Sequence, residues 1–156
     1  MRCKISLMSQ RIEPYLVRRA TLEEIIDLRW RILRAGLPRE TAIFDGDREP
    51  TTIHFAAIHE EKIVGCVTVM HHPWLDKPAW QLRGMAVEPQ FQRSGVGQLL
   101  LQQVELAVAN DPHSHQLWCN ARTPAVAFYR KHGWRIFGDE FIIPTAGPHF
   151  KMTRAI

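Results

Sequence analysis

Cysteine is scarce in this chain and tyrosine scarcer: three of the first and two of the second in 156 residues. Cys3, Cys66 and Cys119 are odd in number and widely separated, so they supply neither a disulfide framework nor the paired spacing of a metal site. Cys66 and Cys119 fall in apolar segments and read as reduced, buried thiols. No apolar run approaches the roughly 20 residues that span a bilayer. The longest candidate, Val96 to Val108, is interrupted by Gln98, Gln102, Gln103 and Glu105. Met1 to Pro14 carries Arg2 and Lys4 but no apolar stretch, so it does not read as a secretory signal. The expected compartment is the cytoplasm, with no membrane association. Lysine and arginine exceed aspartate and glutamate by only 20 to 16, a net charge of +4. The excess alone suits a small anionic ligand as well as a nucleic acid, but with no basic run or aromatic-interleaved basic patch no nucleic-acid partner is expected.

What is present is an ordinary globular composition, 46% hydrophobic and 23% charged, at a length that suits one domain. We expect a single domain over 1–156, with 1–13 as a flexible N-terminal extension. Tyr15 to Arg19 reads as a strand. Thr21 and Glu24 form a capping box for a helix whose apolar positions Ile25, Leu28, Ile32 and Leu33 keep helical spacing and which stops near Gly36. Arg39 to Pro50 is a polar loop with room for one helical turn. Ile53–Ile58 and Ile63–Met70 form a hairpin across Glu60, Glu61 and Lys62, and Trp80–Val87 is a further strand. A second helix carries the stripe Val96, Leu99, Leu100, Val104, Ala107 and Val108. After a strand at Gln116–Ala121, Thr123 as N-cap and Pro124 at the first position open a third helix that ends at Gly133. Strands near Arg135–Ile142 and Phe150–Arg154 close the chain. This order describes a mixed α/β sheet, antiparallel at its start, and not a doubly wound one.

The densest chemistry lies where the strand ending in Val87 turns into the second helix, through Gln92-Arg93-Ser94-Gly95-Val96-Gly97-Gln98. Glycines permit a tight turn and close backbone approach to a ligand. The first helical amides lack internal partners and carry the positive end of the helix dipole, which suits a phosphate. The string is not a P-loop, because no Gly-Lys-Ser/Thr follows. It lacks the third glycine and distal acid of a dinucleotide fingerprint. A Gly-x-Gly by itself is also ordinary turn chemistry.

Taken whole, Gln92-x-x-Gly95-x-Gly97 between a strand and an amphipathic helix resembles the acetyl-CoA signature of the GNAT superfamily of acyl-CoA N-acyltransferases. Asn120-Ala121-Arg122 followed by Ala127-Phe128-Tyr129-Arg130-Lys131-His132-Gly133-Trp134 resembles the same family's later strand and helix. The resemblance runs from about Tyr15 to Arg154. It implies a GNAT-type central mixed, mostly antiparallel sheet of about six to seven strands, splayed between strands 4 and 5 and flanked by about four helices. It implies acetyl-CoA (coenzyme A) as cosubstrate, no metal, and direct transfer of acetyl to a primary amine on a small molecule or peptide in a ternary complex. A homodimer is a further possibility. A non-catalytic acyl-CoA-binding or sensor domain on the same fold is the alternative reading.

By that resemblance Met85, Ala86 and Val87 pair with the pantetheine arm, and Gln92, Arg93, Ser94, Gly95, Val96, Gly97 and Gln98 hold the pyrophosphate. Asn120 and Phe128 line the arm, and Tyr129 is the general acid for the departing thiolate. No residue stands out as the base; Glu88 and His149 are candidates for the base or the acceptor side. Tail and early-helix similarities to a subgroup of small acetyltransferases place His149 and Arg34 at the acceptor pocket, where Arg34 would favour a carboxylate or phosphate.

Overall fold

A computed structural model describes residues 10–12 and 14–156. Eight strands form one sheet: β1 (Gln10–Ile12), β2 (Tyr15–Ala20), β3 (Ile53–His59), β4 (Lys62–His71), β5 (Trp80–Val87), β6 (Gln116–Arg122), β7 (Arg135–Ile143) and β8 (Gly147–Ala155). Three α-helices accompany them: α1 (Leu22–Leu33), α2 (Val96–Ala109) and α3 (Val126–Lys131). The spatial order is β1-β2-β3-β4-β5-β6-β8-β7. Every neighbouring pair is antiparallel except β5 with β6. The expected mixed, mostly antiparallel sheet is therefore observed, enlarged by the short β1. Of the expected N-terminal extension, Gln10–Ile12 pairs with β2, and residues 1–9 and 13 lie outside the described residues.

Among the described residues there are three α-helices, against about four expected, and three short 3-10 turns, one of them Arg39–Ala42 inside the polar loop. The capping box of α1 is present, with Thr21 Oγ1 accepting from the Glu24 N–H and Glu24 accepting from the Thr21 N–H at 2.7 Å. Thr123 does not cap the third helix. Pro124 instead starts a 3-10 turn at Thr123–Ala125 that runs directly into α3, and the Thr123 hydroxyl donates to Glu140 at 2.9 Å. His149 belongs to β8, paired opposite Arg122 of β6, and not to a long connection between the last two strands.

Strand alternation divides the core between the two faces of the sheet. Ala57, Val67, Leu82, Leu100 and Val104 pack with α2, α3 and their flanks on one face. On the other, Ala56, Cys66 and Ala86 pack against Ile25 and Leu28 of α1. Among the described residues no helix is long and apolar enough to cross a membrane.

Candidate active site

The seam between β5 and β6 is two residue pairs long, Trp80 with Leu117 and Gln81 with Trp118. Beyond it the strands part. The β4–β5 register shifts between Cys66 and Thr68, a bulge that bends β5 away. Gly84 sits in that bulge with φ +63°, and a Cβ there would come within 2.8 Å of Arg29 Nε. The residues from Leu82 to Val87 therefore face a gap across from Cys119–Arg122, with their backbone groups on that side free of sheet partners. The resulting slot has a volume of about 1020 Å³ and includes Met85, Ala86, Val87 and Asn120 in its walls. It passes through the sheet and so opens on both faces.

On the α2 face the slot meets the Gln92–Gln98 turn. Gln92 Nε2 donates to the Val87 carbonyl at 3.1 Å, fastening the turn to the end of β5. The Ser94 hydroxyl donates to the Phe91 carbonyl and accepts from Tyr15 Oη at 3.1 Å. Ser94 thus shapes the turn, and its side chain is not part of the slot wall. Arg93 (φ +61°) and Gly95 (φ +93°) take left-handed conformations that bring the chain into α2. The first α-helical bond closes from the Leu99 N–H to the Gly95 carbonyl, so the Val96, Gly97 and Gln98 amides precede the ladder and point outward. Val96 itself is a core side chain and contributes only backbone there. Gly97 does more than ease a turn: a Cβ on it would lie 3.0 Å from Phe128 Cζ, so the bare helix start lets the ring of α3 close against it. Arg93, Gln98, Lys131 and His132 also border this end.

Tyr129 lines the slot from α3, edge-on to Phe128 and Trp134 at 5.3 Å each. Burial pushes its phenol well above the usual tyrosine value, and Cys119 adds to the shift, so the hydroxyl stays protonated. Cys119 is held as a thiol by burial in the same way. Cys66 is pushed up to about 12 by burial, so neither cysteine is a nucleophile at neutral pH.

On the α1 face the walls are different. His149 is buried, its Nδ1 lies 2.7 Å from the Gly147 carbonyl, and it borders the slot. With Nδ1–H donating to that carbonyl, Nε2 keeps its lone pair. Burial lowers its pKa; the Gly147 carbonyl partly opposes this, and Arg122 and Arg34 reinforce it. Arg34, at the C-cap of α1, also borders the slot. Asn120 accepts from Lys151 Nζ at 3.2 Å through Oδ1, leaving its NH2 group free of that contact.

Glu88 is placed apart. It is paired with Arg31 at 2.5 Å and is absent from the slot wall. Three residues that sequence reasoning missed complete this face: Phe44, Arg83 and Arg122. The guanidinium carbons of Arg29, Arg34 and Arg83 lie 4.4, 5.2 and 5.1 Å from the centre of the Phe44 ring. Arg122 Nη2 donates to the Leu33 carbonyl at 2.8 Å. The signal available was a lone aromatic in the polar stretch Arg39–Pro50, but its placement depends on long-range pairing. Asp47 of that loop accepts from Arg29 at 2.5 Å and from the Phe44 N–H at 2.6 Å, both Arg29 and Asp47 side chains being fully buried. Arg29 also donates to Thr68 Oγ1 of β4 at 2.6 Å.

Comparison with known proteins gives a consistent result. A family model described as an acetyltransferase (GNAT) domain matches residues 50–136, a span holding β5, the Gln92–Gln98 turn and α3. The uncharacterized N-acetyltransferase YitI of Bacillus subtilis is 27% identical over 143 residues, covering 90% of this chain and 95% of that protein. In fold the chain is similar to ElaA of Escherichia coli, with a TM-score of 0.73 at 17% identity over 88% of this chain and 97% of that one. It is likewise similar to a GNAT family acetyltransferase from Elizabethkingia anophelis with acetyl-CoA bound, with a TM-score of 0.68 at 17% identity over 93% and 100% of the two chains.

Proposed function

The chain belongs to the GNAT acetyltransferase family and is an acyltransferase, and from that premise we propose that it transfers acetyl from acetyl-CoA to a primary amine by direct attack in a ternary complex. The observation that carries this reading is the convergence, in one slot, of an unpaired strand edge, a bare helix N-terminus and a buried, protonated tyrosine. The slot fits the cosubstrate in kind. It lies at the upper end of the roughly 300–1,000 Å³ usual for ligand sites. The open edge of β5 offers an amide-bearing arm the pairing that another strand would give. The Val96–Gln98 amides offer hydrogen bonds to phosphate, each contributing about 1.5–3 kcal/mol when the acceptor is charged. Phe128 occupies the space a side chain at Gly97 would fill, walling that end.

Acetyl-CoA supplies an activated acetyl group: a C–N bond forms to the amine as the C–S bond breaks, giving an amide and the coenzyme thiol. Met85 to Val87 on β5 would orient the arm and present an N–H to the carbonyl oxygen. Tyr129 would give its proton to the sulfur as negative charge develops there. His149 Nε2, neutral at pH 7, would take the proton released by the amine, directly or through a water, and that proton restores the phenol. Glu88, bound to Arg31 away from the slot, has no part in this scheme.

The test is thiol release from acetyl-CoA against a panel of amines, with calorimetric titration of coenzyme A alongside. Binding of coenzyme A with amine-dependent thiol release is the expected result. No binding, or release that never depends on an amine, would overturn the proposal.

A further inference from the structure

The two mouths of the slot carry separate positive regions, and only one of them is accounted for by the cosubstrate. On the α2 face the free amides, Arg93 and Lys131 suit its phosphates. On the α1 face Arg34, Arg83 and Arg122 border the slot, on the far side of the sheet from that turn. Arg83 shares this face with Thr68, its register partner, whose hydroxyl accepts from Arg29 of α1. Arg122 shares it with His149 by register and reaches the end of α1. No aspartate or glutamate borders the slot among the described residues. Carboxylates near this face are spent elsewhere: Asp47 on Arg29, Glu88 on Arg31, Glu140 on Thr123. Asp45 is exposed; its backbone carbonyl accepts from Arg83 and its carboxylate offsets part of the Arg83 charge, so Arg34 and Arg122 are the arginines free of a carboxylate among the described residues of this face.

The three arginines differ in availability. Arg83 Nη1 is committed to the Asp45 carbonyl at 2.7 Å and touches Met70 Sδ. Arg122 commits Nη2 and no other nitrogen. Arg34 makes no side-chain hydrogen bond among the described residues, and its Nε is buried without a partner. Arg34 is half-exposed, so its terminal nitrogens can meet a ligand, while the buried Nε lacks a partner that an anion would supply.

We infer that the acceptor is a small amine that also bears an anionic group, a carboxylate or a phosphate, received by Arg34 and Arg122 beside the Phe44 ring with its amine toward His149. This rests on the acetyl-transfer reading above and narrows its substrate. The forked donors of two arginines match either oxyanion. Positive charge at this mouth opposes entry of polyamines, aminoglycosides and lysine side chains. It also favours the uncharged form of the acceptor nitrogen, the form that attacks.

The experiment compares kcat/KM over matched amines: amino acids against their amides and methyl esters, O-phosphoethanolamine against ethanolamine, and cadaverine as a cation. At least a tenfold preference for the anionic member of a pair is expected, and which pair shows it separates carboxylate from phosphate. Arg34→Gln and Arg122→Gln should each raise KM for the anionic acceptor at least tenfold and leave coenzyme A affinity within twofold. Unchanged circular dichroism and melting temperature would verify their folding. As a second measure, Arg34→Glu should narrow or reverse the preference over cadaverine. Equal use of acids and amides, or faster acetylation of cadaverine, overturns the inference while acetyl transfer stands. Failure to bind coenzyme A overturns the parent reading, and binding with no amine acetylated overturns both.

Discussion

Asp47→Ala is the most informative stability test, because the carboxylate it removes ties the Arg39–Pro50 loop to the slot. The side chain is fully buried, accepts from Arg29 Nη1 and Nη2 at 2.5 and 3.4 Å, and accepts from the Phe44 N–H. Its removal strands the guanidinium, which keeps only the Ala42 carbonyl and Thr68 hydroxyl. Losing one partner of a buried pair costs about 3–5 kcal/mol, because the remaining charge is left uncompensated. With about 2.1 cal/mol/K of unfolding entropy per residue, a chain of 156 residues loses about 9–15 °C of Tm. Urea unfolding followed by tryptophan fluorescence measures the free energy. The double variant Arg29→Met/Asp47→Leu removes both charges and should be less destabilised than Asp47→Ala alone. A loss below about 1 kcal/mol for the single variant, or a double variant that is worse by the sum of its parts, would refute the reasoning. The same variant frees Phe44, so acceptor KM should rise more than that of acetyl-CoA.

Tyr129→Phe should cut kcat by about 10²-fold or more, with coenzyme A affinity within twofold by calorimetry; unchanged turnover removes the tyrosine from the chemistry. Gly97→Val should weaken coenzyme A binding at least tenfold by displacing the Phe128 ring, and an unchanged Kd would show that the ring yields freely. His54, His132 and His149 are all lowered by burial, so their stabilising contributions are complete above the unfolded value of about 6.5 and are lost as pH falls through the lower folded values. Melting temperature should therefore drop between pH 7.5 and 5.5, above the range where carboxylates titrate, and a flat profile there would contradict it. Activity should show an acid limb with an apparent pKa below about 6.5 that His149→Gln removes. Thr21→Ala should cost about 1 kcal/mol through loss of the α1 cap, read by urea unfolding.

The turn and bare helix start at one end of the slot were legible because their determinants are local. Gln92, Gly95 and Gly97 lie within six residues, and a strand, a turn and a helix start follow from their immediate neighbours. The place of Tyr129 in the slot wall was legible through the aromatic and glycine pattern around it. The α1-side wall was not, since Phe44, Arg83 and Arg122 come from three distant segments joined by the Arg29–Asp47 pair and by the β6–β8 register. Glu88 shows the converse error. It sits one residue beyond β5, yet Arg31, fifty-seven positions earlier, holds it away from the slot. Thr123 failed as a cap for a similar reason, because Glu140 on β7 offered its hydroxyl a partner that local sequence could not foretell.

The two-pair seam between β5 and β6 makes this molecule a hinged book rather than a continuous plate. Five strands lie on one side of the hinge and three on the other, joined through the sheet only at Trp80–Leu117 and Gln81–Trp118. On the proposed reading, a molecule in the opening would serve as a borrowed strand, part of the architecture as well as part of the reaction. Amide exchange along Leu82–Val87 would register its arrival and departure as closing and opening of the spine.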